Sequence, residues 1–401
     1  MYWFIEKGSI TSTPGFKAAG IFCGIKKKKK DLALIYSKLP SIAAGTFTLN
    51  KVKAAPLLLT QEVIRKDNNV KAVIINSGNA NACTGETGDI DAKEIQSFCA
   101  HKLGILPGEV LVASTGVIGK ALPMTNLLNG INSIIPLLSE QGGTDAAEAI
   151  MTTDMKIKSF AIKIELKDKQ ITLGSISKGS GMIAPNMATM LAFISTDAKI
   201  GKKLLQDILS EAVNQSFNKI SVDGETSTND MVILLANSAS GIEIKKDSPE
   251  YFEFKNALNE LCIIMAKSIV SDGEGATKLV TIKVTGAASE TDANLVGKSI
   301  SNSALVKTAL YGSDANWGRI ISAAGHSGAD LIPEKVSISF NEFPILHQNF
   351  KVNLDEKKVS KILSNPEFTI KIDLGIGNDE SIWWTCDFSE EYIRINSDYR
   401  T

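Results

Sequence analysis

A threonine that opens a β-strand directly after a small residue has the parts of a self-activating nucleophile, and Ala188-Thr189 is such a pair. If the preceding loop strains the backbone, the Thr189 hydroxyl can attack the Ala188 carbonyl, giving an ester that water resolves. Thr189 then becomes an amino terminus. Its α-amine, with a reference pKa of ~7.7–8.0, can take the proton from Oγ at neutral pH, so base and nucleophile come from one residue. The loop in front of it is suitably shaped. Lys178-Gly179-Ser180-Gly181-Met182-Ile183-Ala184-Pro185-Asn186-Met187-Ala188 carries two glycines that permit close backbone approach and a proline that keeps Ala184 extended. The same residues also fit an ordinary strand threonine following a Gly-Ser-Gly turn.

A second segment, Ala113-Ser114-Thr115-Gly116-Val117-Ile118-Gly119, runs from an apolar stretch into a glycine turn. Backbone N–H groups at such a turn, together with a threonine hydroxyl, can hold the oxyanion of a tetrahedral intermediate, although a plain turn fits as well. A phosphate loop does not fit, since Ser114 stands where glycine is required and Ala121 where serine or threonine is required. Three histidines (His101, His326, His347) lie in no nucleophile or zinc motif, and a Ser-His-Asp arrangement has no local support. The five cysteines are scattered, with no Cys-x-x-Cys pair, and read as reduced structural thiols. No metal or organic cofactor is expected.

These segments need elements to position them. Residues 70–76 and 109–113 read as short buried strands, each running into a glycine turn. Phe160, Ile162 and Ile164 alternate with Lys and Glu, and Ile171 and Leu173 resume the alternation after a polar turn, so a hairpin leads toward Lys178. Residues 190–194 and 231–236 are further strands. Residues 202–217 and 251–270 show helical periodicity, and 279–285 alternates again. Strand often follows strand without an intervening helix, which predicts an α+β chain of mixed sheets packed on helices rather than a regular β-α-β succession.

The 401 residues, 44% apolar and 22% charged, suffice for one large α/β body or two domains. Lys plus Arg number 43 against 44 for Asp plus Glu, so the molecule lacks the positive field that binding to a phosphate backbone needs, and nucleic acid is not an expected partner. The lysine run at 26–30 sits between apolar stretches at 18–25 and 32–36, as a charged connection or strand edge would. No window approaches the about 18 apolar residues of a membrane span. Neither a signal peptide nor an Arg-rich transit peptide is evident, the first arginine being Arg65, and a cytoplasmic protein is expected.

Nearly the whole chain resembles the ornithine acetyltransferases (glutamate N-acetyltransferases) of arginine biosynthesis. The matching segments are Gly15-Phe16-Lys17-Ala18-Ala19-Gly20, residues 76–85 (Asn-Ser-Gly-Asn-Ala-Asn-Ala-Cys-Thr-Gly), residues 114–119, Met151-Thr152-Thr153-Asp154 and residues 178–191. They continue through Ser221-Val222-Asp223-Gly224, Thr226-Ser227-Thr228-Asn229-Asp230, Asp314-Ala315-Asn316-Trp317-Gly318-Arg319 and the ending Ile395-Asn396-Ser397-Asp398-Tyr399-Arg400-Thr401. The resemblance implies an α-β-β-α layered sandwich shared with self-processing aminopeptidases. It implies cleavage between Ala188 and Thr189 into an α fragment (1–188) and a β fragment (189–401), with two of each per particle. Thr189 would be the nucleophile, and Thr115 with Gly116 the oxyanion hole. Thr152, Lys178, Thr189, Glu274, Asn396 and Thr401 would contact substrate.

The implied reaction moves an acetyl group from N-acetylornithine to glutamate through acetyl-Thr189, with acetyl-CoA as a possible further donor. A self-processing aminopeptidase or amidase of the same architecture, in which water resolves the acyl-enzyme, is the alternative. Two positions depart from the family pattern: Glu225 where Asp is usual, and Thr385 where Gly is usual.

Overall fold

The computed structural model describes all residues except 67–68, 167–168, 185–189, 354 and 399–401. It falls into two compact units: Met1–Gly179 with Asn186–Phe217 and Thr226–Met265, and Ser180–Pro185 with Asn218–Glu225 and Ala266–Thr401. The first unit therefore draws on both of the fragments expected from cleavage.

In the first unit one strand organises the rest. Leu32–Phe47, 16 residues long, pairs antiparallel with Phe16–Ile21 and Val70–Asn79 along its first part, and with Met231–Ala236 through residues 42–47. Its ladder to Val70–Asn79 is irregular between Tyr36 and Ser41, where Pro40 removes an N–H. The strand so belongs to two leaves of one sheet, whose order is Tyr2–Phe4, Lys158–Leu166, Lys169–Lys178, Leu191–Thr196, Met231–Ala236, Leu32–Phe47, Val70–Asn79, Val110–Val117.

The pleat assigns the faces, because successive side chains point to opposite sides. Ala33, Ile35, Val73, Ile75 and Leu111 from one leaf meet Ile176, Leu191, Phe193, Met231 and Ile233 from the other in a single buried cluster. On the outer face of the first leaf, Leu32, Leu34, Ala72, Ile74 and Val112 pack with Ile95 and Cys99 of helix Gly85–Leu103 and with Leu127 and Ile131 of helix Met124–Ile134. Helix Lys202–Asn214, with Leu205, Ile208 and Leu209 buried, covers the Leu32–Phe47 strand on the other leaf. This is the expected α-β-β-α layering.

The expected strands at 70–76, 109–113, 190–194 and 231–236 and the hairpin toward Lys178 are all present, with ends shifted by a few residues. The helix expected over 202–217 stops at Asn214, and Phe217–Lys219 forms a separate 3-10 turn. Asn214-Gln215-Ser216 explains the stop: Ser216 Oγ donates back to the Ala212 carbonyl at 2.6 Å, a side-chain bond that competes with helix continuation.

The second unit holds a seven-stranded mixed sheet ordered Ile220–Ser221, Asp379–Cys386, Leu279–Ala287, Glu367–Asp373, Ser337–Phe340, Phe343–His347, Lys351–Val352. Val280, Ile282 and Val284 alternate onto one face and pack with Val296 and Ile300 of helix Glu290–Asn302, Ile320 of helix Trp317–Gly325 and Val359 of helix Glu356–Leu363. The departure at Thr385 has a local explanation here. Its Oγ1 accepts from the fully buried Lys307 Nζ at 2.6 Å and lies 3.0 and 2.9 Å from the Ser221 and Ser301 carbonyls, so the hydroxyl helps to solvate an ammonium that glycine would leave short of a partner. No helix among the described residues is long and apolar enough to cross a membrane.

Candidate active site

Strand Val110–Val117 runs parallel to Val70–Asn79, with Ser77 opposite Thr115 and Gly78 opposite Gly116. The register then slips by a bulge at Gly78 and Asn79. Gly116 has φ +132°, and a Cβ there would strike the Gly78 and Asn79 backbone, so only glycine permits the approach. Polar side chains lock the step from below. Ser114 Oγ donates to Asn76 Oδ1 at 2.5 Å, and Asn229 Nδ2 donates to the Ser114 and Ala80 carbonyls at 2.8 and 2.7 Å.

Lys178, the last residue of strand Lys169–Lys178, is 2% exposed, and its Nζ donates to Thr115 Oγ1 at 3.3 Å. A threonine oxygen that accepts from an ammonium turns its own hydrogen away from that cation, which makes it a polarised donor for a developing negative charge. Thr152 lies in the turn after helix Gly143–Ile150, and its N–H donates to Asp154 Oδ2 at 2.9 Å. Asp154 also accepts from Lys158 Nζ at 2.8 Å and from the Gly179 N–H at 2.7 Å. Burial by itself would raise this carboxyl; the Lys178 and Lys158 ammoniums and the Gly179 amide outweigh it and hold Asp154 below the usual carboxylate range. Lys178, bonded to Thr115, and Thr152 thus both face the buried Asp154 carboxylate, and Gly116 follows Thr115 directly in the strand.

Two further expected residues meet in the second unit. Glu274, 7% exposed, donates its backbone N–H to the Ser180 carbonyl at 2.8 Å and accepts from Asn396 Nδ2 at 2.8 Å. Gly181 packs against the Glu274 carboxylate so closely that any side chain there would displace it. Asp223 caps the same loop, accepting from the Met182 and Ile183 amides at 2.6 and 2.8 Å and from the Tyr392 hydroxyl at 3.3 Å. Burial, then the charges of Asp223 and Glu274, push the Tyr392 hydroxyl pKa up, so it stays a donor. Ala188, Thr189 and Thr401 lie outside the described residues.

The acids Asp154, Asp223 and Asp230 were given no role by the sequence reading. Asp230 Oδ1 accepts from the Met190 N–H at 3.0 Å, and burial raises its pKa well above the ordinary value. The available signal was an acid placed among small polar residues in each of Met151-Thr152-Thr153-Asp154, Ser221-Val222-Asp223-Gly224 and Thr226-Ser227-Thr228-Asn229-Asp230. A carboxylate in such a setting tends to be consumed by backbone amides rather than by water.

A buried hydroxyl and ammonium pair beside a glycine-only strand step, within an α-β-β-α sandwich, suits an enzyme of the acyl-transfer class. The chain belongs to the ArgJ family, whose model matches residues 17–401. It is similar to the arginine biosynthesis bifunctional protein ArgJ of Staphylococcus epidermidis, with 45% identity over 398 residues covering 99% of this chain and 100% of that one. The arginine biosynthesis bifunctional protein ArgJ 1 of Clostridium acetobutylicum is 48% identical over 403 residues, covering 99% and 98%. Among solved structures, the ornithine acetyltransferase of Mycobacterium tuberculosis complexed with ornithine is 41% identical, with a TM-score of 0.44, covering 46% of this chain and 98% of that one.

Proposed function

We propose that the protein transfers the acetyl group of N-acetylornithine to glutamate through an acetyl-Thr189 ester, and that it also accepts acetyl-CoA as donor, as the word bifunctional in the names of its relatives suggests. The observation that carries this reading is the buried Lys178–Thr115 bond beside Gly116, since it supplies a polarised hydroxyl for an oxyanion next to a cation for a carboxylate. Thr189 Oγ attacks the acetyl carbon while its proton passes to the Thr189 α-amine. The carbonyl π electrons move onto oxygen, where Thr115 Oγ1–H and the Gly116 N–H stabilise them. Collapse breaks the C–N bond, and the proton leaves with the ornithine amine. The glutamate amine then attacks the ester carbon and loses its proton to the Thr189 amine; collapse breaks the bond between the acetyl carbon and Oγ, that proton passes on to Oγ, and N-acetylglutamate departs. Lys178 receives the α-carboxylate that both substrates share, Thr152 and Thr401 contact the bound amino acid, and Glu274, held by Asn396, attracts the side-chain ammonium of the ornithine donor.

Cleavage at Ala188–Thr189 is proposed to leave fragments 1–188 and 189–401 joined, as two of each in a cytoplasmic particle. The sheet supports their association: strand Leu191–Thr196 pairs residue by residue with 173–178 on one side and with Met231–Ala236 on the other. Product identity tests the reading. Purified protein given N-acetylornithine and glutamate should yield N-acetylglutamate and ornithine; free acetate alone would assign it to hydrolysis instead.

Two substitutions examine the roles separately. Thr115→Ala should lower kcat by about 10²–10³, the usual loss for one oxyanion donor, with little change in melting temperature. An unchanged kcat in the folded variant removes Thr115 from the site. Glu274→Gln should weaken N-acetylornithine by roughly 1.5–3 kcal/mol and glutamate little, because only the donor carries the side-chain ammonium. Single-turnover measurement of acyl-enzyme formation and of its discharge by glutamate distinguishes the two steps. Equal impairment of both refutes the assignment.

A further inference from the structure

The lysine run at 26–30 joins strands Phe16–Ile21 and Leu32–Phe47, as a charged connection should, yet its first member is not a solvated charge. Lys26 Nζ donates to the Lys30 carbonyl at 2.8 Å and to the Met151 carbonyl at 2.5 Å, directly before Thr152. The turn is fixed by Asp31, which accepts from the amides of Cys23, Gly24, Ile25 and Lys26 at 2.6, 3.1, 2.7 and 2.9 Å. Along its length the side chain lies over Gly78, where a Cβ would come within 2.9 Å of Lys26 Cγ, and Gly78 is the register partner of Gly116. Lys26 so spans from Gly78, the strand neighbour of Gly116, to the loop of Thr152.

Its charge is poorly balanced. Both acceptors of its ammonium are neutral carbonyls, and the charged groups that face it are Asp31, Lys178, Lys29 and Asp154. Asp31 is occupied by four amides, and Asp154 is ion-paired with Lys158 at 2.8 Å. Lys26 and Lys178 repel each other, while the two carboxylates that attract Lys26 are already engaged, Asp31 by amides and Asp154 by Lys158. Burial, and after it the repulsion of Lys178 and Lys29, outweighs the attraction of Asp31 and Asp154 and lowers Lys26 to about 8.

We propose that Lys26 is a further substrate-binding residue, which together with Lys178 receives the α-carboxylate of the amino-acid substrates. The inference rests on the reading that Lys178 and Thr152 contact that substrate. An anion arriving between two ammoniums removes their repulsion, so binding and protonation of Lys26 favour each other. As pH rises through about 8, the free enzyme's Lys26 loses its proton and the carboxylate loses one of its two cations.

The experiment is equilibrium binding of glutamate and of ornithine to the purified enzyme by calorimetry from pH 7 to 9. In the wild type, glutamate affinity should fall as pH rises through about 8. Lys26→Met should weaken both amino acids by about tenfold or more, the loss of one charge-assisted bond, and flatten the fall to what the Thr189 amine, which titrates in the same range, contributes; Lys26→Arg should restore affinity and show the same flattened profile. The inference is overturned if Lys26→Met keeps the wild-type pH profile, or if it binds as the wild type does. Lys178→Met separates the two levels of the argument. Lost binding there with none lost in Lys26→Met defeats the role of Lys26 alone, whereas unchanged binding in both defeats the amino-acid site itself. Because Lys26→Arg keeps the charge and tests the pH profile by itself, misfolding of Lys26→Met would not shield the proposal.

Discussion

Thr189→Ala is expected to give one intact, folded chain with no acetyl transfer, while the wild type separates under denaturing conditions into fragments 1–188 and 189–401. One hydroxyl serves both reactions under the proposed mechanism: it attacks the Ala188 carbonyl once, and substrate carbonyls thereafter. Loss of a nucleophile costs on the order of 10⁴–10⁶ in turnover, the largest effect proposed for any residue here. The fold should survive, because strand Leu191–Thr196 keeps antiparallel and parallel neighbours whether or not the bond before it is cut. Thr189→Ser should still cleave, more slowly, since the hydroxyl chemistry remains. Denaturing electrophoresis with mass analysis and a two-substrate assay check the set. A wild type that stays full-length and yet transfers acetyl groups would show that the freed amine is not the base.

Asp154→Ala is expected to cost about 3–5 kcal/mol of folding stability, as removal of one partner from a buried ion pair does. The carboxylate is 1% exposed and joins the Thr152 loop, strand Lys158–Leu166 and the Gly179 turn through three bonds of 2.7–2.9 Å. Without it, Lys158, itself fully buried, loses its 2.8 Å ion pair with Asp154. Urea denaturation on the Thr189→Ala background, where the protein is a single chain, measures the loss. The pH dependence has a definite sign. A carboxyl held below its unfolded pKa of about 3.9 contributes stability that is complete above that pH and disappears as pH falls through the lower folded-state value. The wild-type advantage over Asp154→Asn should therefore be full at neutral pH and narrow below about pH 4. A gap that is constant with pH would mean that Asp154 acts by shape rather than by charge.

Much of the fold could be read locally. Two-residue alternation marked the hairpin into Lys178, and continuous apolar runs marked strands at 70–76 and 231–236, because burial on one or both faces dictates those patterns. Helix 202–217 was overrun by three residues because Phe217 remains buried after the helix has ended, and periodicity cannot tell a buried turn from a last helical turn. Lys26 was harder. Among five identical neighbours nothing in the sequence separates the lysine that turns inward from those that do not, since the difference lies in the Met151 carbonyl, 125 positions away.

What the sequence by itself determined is the inventory of chemistry: a threonine after a small residue behind a glycine loop, a Ser-Thr-Gly step, lysines and glutamates of the right charge, and an ordered set of motifs that fixes the family. Such features are contiguous, and their meaning is carried by covalent neighbours and residue type. Tertiary structure alone decided which groups share a network. Lys178 reaches Thr115 across 63 positions, Asn229 ties Ser114 across 115, and Glu274 takes its partner Asn396 across 122. It also decided that Asp154 is spent on neutralising buried lysines. Hydrogen bonds and ion pairs act over a few ångströms of space, and only the pairing of strands brings such distant positions within that range.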